Sequence, residues 1–153
     1  MRAAFSLVEL IFVIVIIGVL SAVAIPRFAN LTDNAKIASE LATASSIQSA
    51  LDAIHGEWIA NTCNFDWGNA QNTAANPLNA SGYPTALGPD AAHPLGYILR
   101  NTDNGDWVVG PDGFYRGPAT NGGARDRNIA HKPEGNDYWV YNAAAGTFTL
   151  VEP

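Results

Sequence analysis

The sequence predicts an α+β protein in which one long N-terminal α-helix packs on a small antiparallel β-sheet. Three observations lead to this prediction: a nearly unbroken apolar run over residues 5–28, an amphipathic pattern that continues it to residue 56, and short strand-like segments after residue 96. The chain of 153 residues is long enough for one domain with a modest core. We expect the sheet to cover the apolar face of the amphipathic segment.

The apolar run over residues 5–28, called the stem below, has the composition of a membrane span. Leu10 to Ile25 carries no charge and is almost entirely aliphatic, and about 20 such residues form a helix that crosses a hydrocarbon layer of about 30 Å. A secretory signal peptide is the alternative, because Arg2 precedes an apolar centre. The run is long for a signal peptide, however, and the helical pattern continues beyond the small residues at 21–24.

The segment after the stem predicts an amphipathic helix that ends near Gly56. Its apolar residues recur every three or four positions along one helical stripe, and its polar residues fall largely off that stripe. The apolar positions are Ile37, Leu41, Ala44, Ile47, Leu51, Ile54 and Trp58, and the polar positions are Asp33, Lys36, Glu40, Ser46 and Asp52. A continuous helix of about 50 residues is about 75 Å long, so the stem must project from the body.

Two residues inside this predicted helix weaken it and are candidate joints. Pro26 removes a backbone donor and crowds the carbonyl four residues earlier. Gly18 costs a helix about 1 kcal/mol relative to alanine. Pro26 is interpreted either as an ordinary helix boundary or as a flexible joint within one long rod, and the sequence favours neither.

A single carboxylate, Glu9, interrupts the apolar run near its start. A charge at the centre of a membrane span costs roughly 2.5–3.5 kcal/mol, and less near the end of the span. Such a group either reaches the interface or pairs with an opposite charge, and an ionisable residue inside a membrane segment is by default a functional hypothesis.

The stretch AFSLVELIFVIVIIGVLSAVAIPRF resembles the N-terminal segment of type IV pilins and of the pseudopilins of type II secretion. In that family a peptidase removes a short leader before a phenylalanine, the new N-terminus is methylated, and a glutamate follows four positions later. Phe5, Glu9 and Pro26 match this pattern in type and spacing. The resemblance therefore implies a leader over residues 1–4, cleavage between Ala4 and Phe5, and an N-methylated Phe5.

Ala4 departs from the family pattern, which usually has glycine before the cleavage site. The resemblance further implies that Glu9 of one subunit pairs with the N-terminal amine of Phe5 in a neighbouring subunit. An α-amino group titrates at about 7.7–8 and is positive near neutral pH, and apolar surroundings strengthen the attraction. The alternative is that Glu9 only extends towards the membrane interface.

The resemblance implies a structural subunit rather than an enzyme. A major pilin polymerises through its hydrophobic helix into a type IV pilus made of copies of itself, whereas a type II secretion pseudopilin forms a periplasmic pseudopilus. A membrane-anchored monomeric binding module is a third interpretation. The implied partners are a prepilin peptidase and methylase, the assembly machinery of the inner membrane, and the membrane before assembly. The implied location is the inner membrane for the precursor, and then the cell surface for a pilus.

The chain divides into three predicted parts: a leader over 1–4, the stem over 5–28 and a head over 29–153. The head contains the amphipathic helix over 29–56, a loop region over 57–95, and a sheet with loops over 96–153. The strand candidates are Tyr97–Leu99, Trp107–Val109, Phe114–Arg116, Tyr138–Asn142 and Thr147–Val151. The last two flank a short segment with glycine, which predicts a hairpin.

Charge, cysteine and histidine usage predict no catalytic site. The net charge of −6 argues against nucleic acid as a partner. A single cysteine, Cys63, excludes an internal disulfide and a metal site built from cysteines alone. His55, His93 and His131 are widely spaced and show no ligand or triad pattern.

Two further motifs predict surface sites. The stretch NTDNGDWVVGPDG contains Asp103, Asp106 and Asp112, which predict either a calcium site or ordinary turns. Some pseudopilins carry calcium in this part of the chain, so calcium there would favour the pseudopilin alternative; no other cofactor is expected. Asn79 begins an Asn-Ala-Ser glycosylation sequon in the loop region.

Overall fold

The computed structural model of the chain describes residues 6–63, 78–99, 107–124 and 132–153. The elements in these ranges are α1 (Leu7–Ala60), β1 (Val108–Val109), β2 (Tyr115–Arg116), β3 (Tyr138–Asn142) and β4 (Thr147–Val151). The strands form one sheet in the order β1-β2-β3-β4, and each neighbouring pair is antiparallel. The predicted α+β class, a long N-terminal helix on a small antiparallel sheet, is confirmed.

One continuous helix, α1, begins after Ser6 and ends at Ala60. Its 54 residues make it about 81 Å long at 1.5 Å per residue. Pro26 lies inside the helix, so it is not a helix boundary: losing one backbone hydrogen bond does not end a helix that is extended on both sides. The role of Pro26 as a joint stays a prediction.

The amphipathic part of α1 extends past Gly56, so the predicted helix end at residue 56 is wrong. The reason is tertiary packing at Trp58, whose indole lies so close to Gly82 that an added Cβ there would collide with it. Burying an aromatic surface of this size outweighs the cost of about 1 kcal/mol for glycine in a helix.

The β3–β4 hairpin has the predicted bounds. Its pairs run from Tyr138 opposite Val151 to Asn142 opposite Thr147. The turn between the strands ends at Gly146, whose φ of 65° is the left-handed conformation that glycine adopts without strain. The first two strands have two residues each, and the predicted segments around them had three.

Residues 97–99 do not form the predicted strand. The amides of Ile98 and Leu99 both donate to the carbonyl of Leu95, at 3.0 and 2.9 Å, so the chain coils into tight turns. Leu95 is fully buried, and Ile98 and Leu99 pack against the same core. Ile98 and Leu99 lie three and four residues after Leu95, which is the spacing of a helical turn. The strand prediction rested on only three residues, too few to show the alternation of a strand.

The main core lies between one face of α1 and the sheet. The rings of Trp139 and Phe148 stack with centroids 5.2 Å apart and planes 4° apart. The buried members of this core are Ala44, Ile47, Leu51, Leu87, Leu95, Trp107, Trp139 and Phe148. A smaller cluster on the side of the stem joins Ile37 to Ala119 and Ala124.

Candidate assembly surface and the attachment of the head

The stem half of α1 exposes a continuous apolar surface. In the described part of the chain, sixteen large apolar side chains between Leu7 and Leu31 are exposed, with exposed fractions from 42% to 73%. The helix contains an 18-residue window apolar enough to cross a membrane, and none of that window is buried. The other exposed large apolar side chain in the described ranges is Ile59. Within the described ranges, the stem is therefore a surface without a partner.

The predicted stem residues lie on this exposed surface. Glu9 is in the first turn of α1 and is exposed, where the partial positive charge of a helix N-terminus favours a carboxylate. Apart from the adjacent helix backbone, no atom of the described residues would lie within 4 Å of a Cβ added at Gly18. Ala4 and Phe5 lie outside the described residues, so the cleavage site, the methylated amine and its pairing with Glu9 stay predictions.

A buried carboxylate attaches the sheet and loops of the head to the part of α1 that follows the stem. Glu40 is fully buried. Its Oε2 accepts hydrogen bonds from the amides of Ala119 and Thr120, at 2.7 and 3.1 Å. Its Oε1 accepts from the Thr120 hydroxyl at 3.0 Å and from the Trp139 indole Nε1 at 2.7 Å. One side chain thus connects α1 to the 117–120 turn and to β3.

The expectation that Glu40 lies off the buried stripe is wrong. The buried positions of α1 around it are Ile37, Glu40 and Ala44, while Leu41, which was expected on the stripe, is only partly buried. The sequence contains one signal for its burial. Glu40 lies three residues after Ile37 and four before Ala44, which places it on the same face of the helix. Hydropathy assigned the residue to solvent because the donors that satisfy it are distant in sequence.

A second polar side chain, Gln48, attaches α1 to β4. Its Nε2 donates to the carbonyl of Gly146 at 3.0 Å, and its Oε1 accepts from the amide of Phe148 at 3.1 Å. The carboxamide therefore bonds to the backbone of the turn residue before β4 and of β4 itself, as a neighbouring strand would. Sequence analysis missed Gln48, since an isolated glutamine in a helix carries no such signal.

Curated proteins with related sequences are components of bacterial filaments. The chain is 57% identical over 51 residues to the type IV narrow pilus major component PilA5 of Thermus thermophilus, covering 33% of this chain and 44% of the relative. It is 30% identical over 97 residues to the type IV major fimbrial protein FimA of Dichelobacter nodosus, covering 61% of this chain and 57% of the relative. It is 36% identical over 64 residues to a fimbrial protein of Neisseria meningitidis, covering 40% and 38%. The curated homologues of this chain are type IV pilins.

These pilin homologues agree with the family resemblance of the N-terminal segment. The chain spans about half the length of the curated relatives it matches. No family model and no solved structure matches it. None of the pilin names denotes an enzyme.

Asn79, the sequon residue, is half-buried and is built into a turn of the head. Its side-chain oxygen accepts hydrogen bonds from the amides of Ser81 and Tyr83, at 2.9 and 3.1 Å. Its side-chain nitrogen, the atom that a sugar would modify, donates to the carbonyl of Ala143 in the β3–β4 turn. This geometry gives Asn79 a structural role, and its glycosylation stays a prediction.

The predicted calcium ligands are only partly described. Asp103 and Asp106 lie outside the described residues, whereas Asp112 pairs with Arg116 at 2.8 Å and accepts from the amide of Phe114 at 3.1 Å. The hydrogen bond from Arg116 lowers the pKa of the Asp112 carboxyl. Within the described ranges, no three His, Cys, Asp or Glu side chains are grouped to hold a metal ion. The calcium site stays a prediction.

Of the histidines and the cysteine considered in the sequence, His55 and His93 contact other side chains of the head and Cys63 does not lie in the core. His55 stacks on the ring of Tyr83 with centroids 4.4 Å apart. His93 bonds to an aspartate at 2.9 Å, and Cys63 is exposed. His131 lies outside the described residues.

Proposed function

We propose that this chain is a structural subunit, a major pilin, that polymerises into a bacterial type IV pilus through its hydrophobic stem. The observation that carries the proposal is the exposed apolar surface between Leu7 and Leu31 on a helix whose other half is packed in the head. Burying one large aliphatic side chain contributes about 1.5–3 kcal/mol. A stem with this surface is stable only in lipid or against other stems, and identical stems offer each other such a surface.

The precursor rests in the inner membrane in this proposal. The apolar part of α1 from Leu7 to Ile25 is about 29 Å long as a helix, which matches a hydrocarbon core of about 30 Å. Arg27 follows the run and can reach the polar interface at its far end. Subunits then leave the membrane for the filament, whose interior replaces the lipid around the stem, and the filament stands on the cell surface.

Processing prepares the stem for assembly. A prepilin peptidase removes residues 1–4 and a methylase modifies the amine of Phe5; the assembly machinery of the inner membrane then adds the subunit. Glu9 of the incoming subunit pairs with the positive amine of a neighbour. A subunit that enters at the wrong depth leaves two charges unpaired in apolar surroundings, which is costly, so the pair sets the register.

The names of the relatives support a pilus subunit. Their names describe a pilus component and fimbrial proteins, and the proposal extends that role to this chain. A periplasmic pseudopilus and a membrane-anchored monomer are the alternatives that the experiment separates.

The test is electron microscopy and mass spectrometry of filaments sheared from cells that express the chain. We expect long filaments built from a subunit that starts at a methylated Phe5. Ile14→Asp places a charge on the stem and is expected to abolish filaments. Ile59→Asp is the matched control, because Ile14 and Ile59 are both 58% exposed but only Ile14 belongs to the stem.

Three outcomes would contradict the proposal. Short structures confined to the periplasm indicate a pseudopilus, and protein that stays in the membrane fraction as a monomer indicates a binding module. Filaments whose yield is the same with Ile14→Asp as with Ile59→Asp exclude the stem as the assembly surface.

A further inference from the structure

The stability of the fold does not by itself explain why a glutamate occupies position 40. All four of its donors are neutral groups, and no ion pair of Glu40 occurs within the described ranges. Removing a carboxylate from water costs several kcal/mol, and apolar residues of similar volume often replace buried charged groups without loss of stability. A leucine at this position would join the apolar cluster of Ile37, Ala119 and Ala124.

The backbone of the 117–120 turn is shaped around the carboxylate. A Cβ added at Gly117 would lie 2.6 Å from both Cδ and Oε2 of Glu40, closer than atoms of any side chain approach without displacement. The Thr120 hydroxyl accepts a hydrogen bond from the amide of Gly117 at 2.8 Å and directs its own proton to Glu40 Oε1. Gly117 therefore allows the turn to approach the carboxylate closely, and Thr120 supplies a further hydrogen-bond donor to it.

The donors make the contact directional. Two of them are backbone amides of the turn and one is the indole of β3, and hydrogen bonds weaken steeply when their angles are lost. If the sheet and loops shifted by one residue along α1, they would move by 1.5 Å and turn by about 100° around the helix. Such a shift breaks all four hydrogen bonds. The apolar contacts around them have no such requirement, because hydrophobic burial is non-directional.

We propose that Glu40 is a positioning residue that selects one seating of the 117–120 turn and of β3 on α1, at the expense of some stability. The carboxylate excludes shifted seatings because each leaves it buried without donors. One consequence rests on the proposed function. Every subunit in a filament holds its sheet and loops at the same height and angle relative to its stem.

The test uses the full-length protein in detergent micelles, so that it does not depend on filament formation. NMR follows the indole proton of Trp139 and the exchange of the Ala119 and Thr120 amide protons, together with the thermal midpoint. The variants are Glu40→Leu and, as the matched control on an exposed position of α1, Glu57→Leu.

We expect Glu40→Leu to keep or raise the thermal midpoint while it loses the single seating. The Trp139 indole signal should split or broaden, and the two amide protons should exchange roughly tenfold faster or more, the effect of losing a charge-assisted hydrogen bond. Glu57→Leu should change neither. One sharp indole signal with unchanged exchange in Glu40→Leu would overturn the proposal, as would a lower midpoint with one sharp signal.

A second variant covers the case in which Glu40→Leu does not fold. Thr120→Val removes one donor and preserves the shape of the side chain. We expect it to fold, to broaden the Trp139 indole signal and to speed exchange at Ala119. A Thr120→Val spectrum that matches the wild type at both positions would overturn the proposal independently.

Discussion

Trp139 and Glu40 are joined across 99 residues of sequence by a hydrogen bond of 2.7 Å from the indole Nε1 to Oε1. The same indole stacks on Phe148. One ring therefore contributes both to the apolar core and to the buried polar contact of α1, and these two contributions can be separated by substitution.

Trp139→Phe is expected to lower the free energy of unfolding in micelles by about 1–3 kcal/mol more than Trp107→Phe does. Both changes remove the same atoms from the core, but only the first removes one of the two donors to Oε1 of Glu40, and losing a buried hydrogen bond to a carboxylate has this magnitude. Denaturant titration followed by circular dichroism measures the difference. Equal losses for the two variants would show that the indole hydrogen bond contributes nothing.

Gln48→Glu is expected to destabilise the attachment of β4. The new carboxylate still accepts from the amide of Phe148, but its second oxygen faces the carbonyl of Gly146 and the carboxylate of Asp52, to both of which Nε2 donates in the wild type. We expect a loss of about 1–3 kcal/mol in the free energy of unfolding, since a partly buried acceptor loses its donor.

Ser49→Glu is the control for Gln48→Glu. Ser49 is exposed and its hydroxyl donates to Ser45 within α1, so this change adds the same charge to the helix without touching β4. If both variants unfold at the same denaturant concentration, the contact of Gln48 with β4 is not the cause of the loss.

Stability is expected to fall at alkaline pH because of Tyr141. Burial raises the pKa of its hydroxyl above the ordinary value of 10, and the hydroxyl donates to the carbonyl of Pro84 at 2.6 Å. A pKa raised by folding stabilises the fold fully below the pKa of the unfolded chain, about 10, and this contribution is lost as the pH rises towards the folded-state pKa.

Tyr141→Phe tests this pH dependence. At pH 7 the variant loses the hydrogen bond, about 1 kcal/mol. Above pH 10 its stability should fall less steeply than that of the wild type, with a residual slope from Tyr115, whose pKa is also raised by burial. Urea titrations at pH 7 and pH 10.5 measure the gap between the two proteins, which should narrow; a constant gap would exclude Tyr141 as the titrating group.

Gly82→Ala is expected to be more destabilising than Gly123→Ala. Both glycines have positive φ, 77° and 63°, so both substitutions carry the strain of about 1–2 kcal/mol that an L-residue meets there. Only at Gly82 would the added Cβ also collide, with the indole of Trp58, while at Gly123 no described atom beyond the adjacent residues lies within 4 Å of the added Cβ. Thermal unfolding of the two variants measures the excess, and equal midpoints would mean that Trp58 moves freely.

Glu9→Gln is expected to reduce filament yield at least tenfold while the head stays folded. The amide cannot neutralise a cationic chain end, so the assembled stem would contain an unpaired charge at a cost above about 1.4 kcal/mol. Sheared filament yield and the circular dichroism of the purified protein are the two measurements. Glu57→Gln, on the head, is the matched control, and a Glu9→Gln yield equal to that control would remove the pairing model.

The elements that the sequence predicted correctly are those whose signal is local. The stem is recognisable because its composition alone exceeds what a small body can bury. The β3–β4 hairpin was predicted with its bounds because two alternating five-residue segments flank a turn that contains Gly146. The strand prediction for residues 97–99 was wrong because three residues are too few to show whether apolar side chains alternate as in a strand.

By itself, the sequence determined that the chain has an apolar rod, an amphipathic continuation and a sheet to cover it, since these properties depend on residues a few positions apart. Only the tertiary structure decided that Glu40 is buried and that Gln48 bonds to β4. The partners of these two side chains outside α1 lie between 79 and 100 residues away, and no local pattern encodes a partner at that distance. Whether a polar side chain faces water or the interior depends on what the rest of the fold brings to it.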